Sequence, residues 1–382
     1  MKKKLLFING HMNTGGVEKS LLDILKHLDG SRYEVTLLLF EGVGDYAPEI
    51  PAQIHVELKN LKNTYGSLPG SLLRCIRQRD WFCFRMRLVF LMMQLFGQKQ
   101  ICLGRKLLTG NRHYDCVIGF RPGICTQVAA FAVHADRRLT WWHHGEINVD
   151  RVSYLKAASA CDRVVAVSQG CRELLEQAFP TLRNRLTVIP NMVDTEKIRQ
   201  KAAAFRPYPA GCHIVSVGRL SREKHFENAV SAAAALKGRG FRFQWHIIGD
   251  GAEKSDLEKQ IRELNVADCV VLEGNQVNPY PFIRWADLFV HPSYVESQGL
   301  VVLEALALGV PCVVTKTIGT CGFIEDGRNG LMCDLNAESL LKEVAGMMSD
   351  RDLYLHIKSN SVIPGRFSPE EVMSQIEQEI QG

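Results

Sequence analysis

Short runs of β-branched and aliphatic residues alternate with helix-type patterns along this 382-residue chain, and the alternation begins twice. In the first half "KLLFIN", "EVTLLLF", "DCVIGF", "LTWWHH", "RVVAVS" and "RLTVIP" read as buried parallel strands. A strand covered on both faces is apolar throughout rather than at every second position. In the second half "HIVSVG", "FQWHIIG", "CVVLEG", "DLFVHPS" and "PCVVT" read the same way, with helices such as "FENAVSAAAALKGRG" between them. Such βα repetition implies doubly wound parallel sheets. The pattern breaks at "AAAFRPYPAGC", residues 202–212, where two prolines and a glycine interrupt it. The expectation is an α/β chain of two Rossmann-like domains, residues 1–195 and 196–367, facing each other across a cleft with ligands at the carboxyl ends of the strands. A last helix over 368–382, opened by "SPEE", is either a plain terminal helix or one that crosses back to the first domain.

Composition narrows the function classes. At 46% hydrophobic and 23% charged residues, both domains can bury a core, and a net charge of +5 is too mild to suggest a nucleic-acid binder. Twelve cysteines without a single C-x-x-C pair fit a reducing compartment and argue against a zinc site or a disulfide framework. The opening "MKKKLLFINGHMNTGG" is basic, but its apolar run "LLFI" suits a first strand rather than a signal peptide. No segment reaches the ~18 to 20 apolar residues that span a bilayer. A cytoplasmic protein, or one lying on a membrane surface, is expected. No G-x-G-x-x-G follows a strand, and "IIGDGAEK" lacks the spacing, which disfavours a nicotinamide or flavin enzyme.

"ESQGLVVLEALALGVP", residues 296–311, sets Glu304 among apolar residues with Glu296 eight positions before it. Read as a helix ended by Gly309 and Pro311, "GLVVLEALAL" is apolar on every side and therefore buried. A fully helical gap of that length would be roughly 12 Å, longer than the ~5 to 9.5 Å of paired glycosidase carboxylates. The two glutamates instead suit different parts of one long ligand. Glu304 needs donors where it is buried, either a protein cation or two vicinal hydroxyls such as those of a ribose. Glu296 follows a strand end in the loop before that helix, and "SQG" after it, Ser297 to Gly299, places backbone N–H groups and the helix N-terminus where they suit an anion or sugar oxygens.

"VSVGRLSREKHFENAV" is strand, loop and helix, with Arg219, Arg222 and Lys224 crowding a helix start where the macrodipole disfavours cations by ~0.3 to 1 kcal/mol each. For Arg222, neutralisation by Glu223 and Glu227 is the simpler account. Arg219 and Lys224 suit a phosphate clamp, a forked donor beside a point charge. In the first half "FINGHMNTGGVEKSLLDIL" offers Gly15 and Gly16 for close backbone approach ahead of a helix N-terminus.

In order, "TGGVEKS", "WWHHGE", "VIPNMVD", "VSVGRLSREK", "IIGDG" and "HPSYVESQGLVVLEALALGVPCVVT" resemble the retaining glycosyltransferases of the GT-B fold, family 4, over nearly the whole chain. The resemblance implies that Glu304 holds the ribose of a nucleoside-diphosphate sugar and that Arg219 and Lys224 bind its diphosphate. It also implies that Glu296 and the amides of Ser297, Gln298, Gly299 and Leu300 hold the sugar ring. Gly15 and Gly16 would approach the phosphate and acceptor side, His144 would orient the donor sugar, and Asn191 and Gly274 complete the candidate set. "SQG" departs from the family's more usual Gly-aromatic-Gly, which leaves the sugar open. "HG" favours His144 over His143, and the bare histidine pair lacks a third ligand for a metal.

The implied reaction is metal-free transfer, with retention, from a UDP-sugar to a lipid-linked or glycan acceptor in cell-surface polysaccharide synthesis, with no cofactor. Cations and helix N-termini would stabilise the departing diphosphate. The lone D-x-D, "DRD" at 350–352, lies in a late helical segment and reads as solvated surface. A UDP-sugar epimerase on the same frame, or a silent sugar-nucleotide binder, are the rival readings. Residues 71–108 hold eight Lys/Arg against one acidic residue, interleaved with Trp, Phe, Leu and Met. That pattern suits either an anionic inner leaflet or two core helices with basic outer faces.

Overall fold

Each apolar run quoted above is a strand in the computed structural model, which describes residues 2–382. By its internal contacts the chain divides into two units. The first runs to Val167 and takes in Cys171–Met192 and Glu370–Gly382; the second comprises Ser168–Gly170 and Val193–Pro369. The proline-rich stretch at 202–212 thus lies inside the second unit, ahead of its first strand.

The first unit holds strands β1 (Lys3–Asn9), β2 (Tyr33–Leu39), β3 (His55–Leu58), β4 (His113–Gly119), β5 (His134–Trp142), β6 (Arg163–Ala166) and β7 (Leu186–Val188). Its helices are α1 (Gly16–His27), α2 (Leu68–Arg77), α3 (Trp81–Phe96), α4 (Arg105–Thr109), α5 (Ile124–Phe131), α6 (Arg151–Ala158) and α7 (Gln169–Ala178). The strands pair in parallel in the order β3-β2-β1-β4-β5-β6-β7. Strand order therefore reverses between β1 and β4, the place where an open α/β sheet leaves room for a ligand.

The second unit contains α8 (Thr195–Ala202), β8 (His213–Val217), α9 (Phe226–Gly238), β9 (Gln244–Ile248), α10 (Lys254–Glu263), β10 (Val270–Gly274), α11 (Tyr280–Arg284) and β11 (Leu288–His291). It continues with α12 (Leu300–Ala307), β12 (Cys312–Thr315), β13 (Leu331–Cys333), α13 (Ala337–Ser349) and α14 (Arg351–Asn360). Its parallel order is β10-β9-β8-β11-β12-β13, with the reversal between β8 and β11. Successive residues of β8 enter opposite cores: Ile214 joins Trp245, Ile247 and Val230, whereas Val215 joins Phe289, Val302 and Leu303. Burial on both faces is the reason these strands carry no polar alternation, and each large side chain so buried stabilises by ~1.5 to 3 kcal/mol.

Helix α15 (Pro369–Gln381) belongs with the first unit from Glu370 onward. Val372, Met373, Ile376 and Ile380 form its buried stripe, and Glu377 and Glu379 pair with Arg32 at 2.6 Å and Arg137 at 2.8 Å. In the basic stretch, Met86 and Val89 of α3 join the first unit's core, and buried Arg87 donates to Ser71 Oγ at 2.9 Å and to the Gly66 carbonyl at 3.1 Å. The other face of α2 and α3 is exposed and apolar at Leu73, Ile76, Trp81, Leu88, Leu95 and Phe96. Among the described residues no helix is long and apolar enough to cross a membrane. Asp350 of "DRD" caps α14, its side chain accepting the Leu353 N–H.

Candidate active site

In the second unit the candidate residues gather where the strand order reverses, at the ends of β8 and β11. The chain leaves β8 through Gly218, exposed Arg219 and buried Leu220, and this loop is held from below by "GDG". Gly218 N–H bonds Ile248 O, and Leu220 N–H bonds Asp250 O, both at 3.0 Å. Gly249 has φ +147°, and a Cβ there would lie 1.9 Å from the Gly218 carbonyl oxygen, so the loop requires glycine beneath it. Gly274, at φ +67° on the end of β10, accepts the Gly249 N–H at 2.8 Å and completes this support.

Lys224 does not stand in the first turn of a helix. It ends a 3-10 turn over Arg222–Lys224, His225 follows at φ 49°, and α9 begins only at Phe226. The cations are relieved by side chains instead. Arg222 pairs with Glu253 at 3.6 Å rather than with Glu223 or Glu227, and Glu227 pairs with His225 at 3.0 Å. The carbonyl of Glu223 accepts Tyr294 N–H at 2.8 Å and Ser293 Oγ at 3.1 Å, which brings the turn against the loop after β11. Lys224 Nζ consequently donates to Glu296 Oε1, as does His291 Nε2 at 2.6 Å. Burial pushes the Glu296 carboxyl up, but Lys224 and His291 more than offset it and hold it ionised, well below the usual carboxylate range.

The two glutamates do not share one helix. Only Leu300–Ala307 is helical, entered through Gly299 at φ 79°, while Glu296, Ser297 and Gln298 form the loop ahead of it. Glu304 is 4% exposed inside α12, and the Tyr280 hydroxyl lies 3.4 Å from its Oε1. Arg219, Lys224, Glu296 and the start of α12 thus stand on the loops that leave the two central strands, with Glu304 one helical turn further along.

In the first unit the matching strand ends are those of β1, β4 and β5. Gly15 precedes α1 in extended conformation; a Cβ there would lie 2.5 Å from Glu18 Oε2, so a larger residue would displace that carboxylate. Glu18 is buried and accepts from Arg121, which follows β4, with His11 Nδ1 3.6 Å away. Gly16 opens α1, and Ser20 of the same helix donates to Asn191 Oδ1 at 2.6 Å. His143 is buried on Phe120 with ring centroids 4.7 Å apart, and burial first, then His144 and Arg121, drives its pKa well below the usual value. His144 is half-buried, its Nδ1 3.3 Å from Asn148, and burial followed by Arg121 lowers its pKa too. Both rings are therefore neutral at pH 7. His144 is the one of the pair open to solvent. Among the described residues no group of three His, Cys, Asp or Glu is placed to hold a metal ion.

Two known family models together match nearly the whole chain. A model described as Glycosyltransferase Family 4 matches residues 14–197, and one described as Glycosyl transferases group 1 matches residues 198–362. EpsF of Bacillus subtilis is 31% identical over 333 residues, 83% of this chain and 80% of EpsF. The chain belongs to glycosyltransferase family 4. Lipopolysaccharide core biosynthesis glycosyltransferase LpsE of Rhizobium meliloti is 32% identical over 194 residues, so that the match spans 56% of LpsE. HepE of Anabaena, solved in complex with UDP, superposes with a TM-score of 0.72 at 20% identity over the full length of both chains, which shows the GT-B fold.

In this glycosyltransferase several site residues carry little signal in the sequence. His291 ends an apolar strand, Tyr280 opens a five-residue helix, and Glu18 and Arg121 are separated by 103 positions. The one hint at Glu18 was its place three residues after Gly15 in "TGGVEKS", a spacing that turns a helical side chain back over its own N-terminus.

Proposed function

We propose that this chain transfers a sugar, with retention, from a UDP-sugar to a lipid-linked or glycan acceptor in polysaccharide synthesis. The supporting observation is the set of groups at the β8–β11 reversal: Arg219 exposed, Lys224 beside Glu296, and the amino end of α12. Two cations and a helix N-terminus form a receptor for a diphosphate. As the bond from sugar to phosphate breaks, negative charge grows on the leaving oxygen, and donors already fixed there stabilise it without a metal ion. Glu304 is assigned to the ribose hydroxyls, and Glu296 with the amides of Ser297 to Leu300 to the sugar. Gly15, Gly16 and His144 are assigned to the acceptor side and the transferred sugar, and Asn191 to holding α1 in place.

Titration of the protein with UDP in the presence of EDTA tests the receptor. Wild type is expected to bind, and Arg219→Ala to bind on the order of 10- to 100-fold more weakly, the loss of hydrogen bonds to a charged group. Equal affinity of the two proteins would remove Arg219 from the clamp. Binding abolished by EDTA would mean that a metal takes part.

We further propose that the exposed face of α2 and α3 meets an anionic membrane surface, where a lipid-linked acceptor would be found. Trp81 is 58% exposed and Phe96 65%, and Arg74, Arg77, Arg85 and Lys99 of the same stretch are exposed too. Exposed apolar side chains interleaved in sequence with cations suit the headgroup region of a negatively charged leaflet. Flotation with phosphatidylglycerol vesicles should recover the protein, and Trp81→Ser/Phe96→Ser should lower that recovery severalfold. Recovery equal with purely zwitterionic vesicles would end this reading.

A further inference from the structure

We infer that His291 is a positioning residue, which keeps the Glu296 carboxylate aimed at the donor sugar while Lys224 is engaged by the diphosphate. This rests on the nucleotide-sugar reading of the site. Lys224 Nζ and His291 Nε2 both donate to Oε1 of Glu296, and among the described residues none donates to Oε2. One carboxylate oxygen is thus anchored while the other stays available to a ligand hydroxyl. The two anchors differ in kind. Lys224 sits on a short 3-10 turn at the end of a flexible stem, and its charge is also claimed by the proposed diphosphate. His291 is 0% exposed and closes β11, whose backbone is paired with both β8 and β12, and Thr315 Oγ1 lies 3.4 Å from its carbonyl oxygen.

The histidine's bonding is also one-sided. Among the described residues its buried Nδ1 has no hydrogen-bond partner, so the ring's one polar contact there is with Glu296. A bond of 2.6 Å to a carboxylate oxygen requires the proton on Nε2, because the other tautomer would set two lone pairs against each other. A fixed N–H aimed at one oxygen defines where the second oxygen lies, and a cation that moves to a ligand does not. Removal of His291 therefore leaves diphosphate binding intact and costs the sugar-directed step.

The test compares wild type, His291→Phe and His291→Gln by UDP affinity, thermal melting and UDP release from UDP-glucose, UDP-galactose and UDP-N-acetylglucosamine. For His291→Phe, kcat should fall on the order of 10- to 100-fold, the loss of one hydrogen bond to a charged group. UDP affinity should stay within about threefold, since uniform binding is untouched. The acid limb of the kcat profile should move to higher pH, because a carboxylate deprived of a donor takes up a proton more readily. His291→Gln, which restores a donor, should regain most of the loss. A His291→Phe enzyme with wild-type kcat and acid limb overturns the proposal alone. So does a parallel fall in kcat, UDP affinity and melting temperature that His291→Gln does not repair. Wild type that binds no UDP overturns the nucleotide reading, and this inference with it.

Discussion

Replacing Lys224 by methionine is expected to lower kcat/KM by about three orders of magnitude, in line with removal of a preorganised charge from a leaving-group site. It should also destabilise the fold by ~3 to 5 kcal/mol, because Glu296, 11% exposed, loses its cation and keeps only His291. Those two consequences separate in a second variant. Lys224→Met/Glu296→Gln has no stranded carboxylate, so chemical denaturation should return most of the stability while activity stays low. Stability that does not return would mean that Lys224 supports the turn in some other way. Activity that falls less than about tenfold in Lys224→Met would remove the residue from diphosphate stabilisation.

Glu304→Gln is expected to weaken UDP binding by roughly 10- to 100-fold, as two hydrogen bonds to ribose lose their charged acceptor. The melting temperature should move by only a few degrees. Glutamine keeps the shape of the side chain and an acceptor for Tyr280, whose hydroxyl lies 3.4 Å from Oε1, so the interior of α12 is not left with a void. Isothermal titration with UDP and with inorganic pyrophosphate distinguishes the ribose from the phosphates: only the first should be affected. Loss of both, with unfolding, would make Glu304 a structural anion.

Both sheets were legible because their strands are buried on two faces and so carry unbroken apolar runs. The strands that escaped notice are β3 and β13, "HVEL" and "LMC", which close one edge of each sheet. An outer strand has one neighbour and a half-exposed surface, and β3 has no fully buried residue, so it leaves no apolar signature. In the site, Arg219, Lys224, Glu296 and Glu304 stood out one by one as charges in places that disfavour charge. Their partners did not. Lys224 and Glu296 are 72 positions apart, and what joins them is the register of β8 beside β11 together with a carbonyl bond from Glu223. The cations that the sequence places at a helix start lie ahead of it, because His225 in a left-handed conformation delays α9 until after Lys224. His291 was invisible for a related reason: at a strand end, a ring that stacks and a ring that donates are written with the same letter.

The return of α15 has a bearing on how this protein is made. Val372, Met373, Ile376 and Ile380 of that 13-residue helix complete a layer begun several hundred residues earlier. One globule is thereby interleaved in sequence with the other, and neither can be excised as an uninterrupted fragment. On the ribosome, the earlier half must wait with an uncovered apolar strip until α15 emerges, so a nascent chain that stalls before that helix presents the strip to chaperones and proteases.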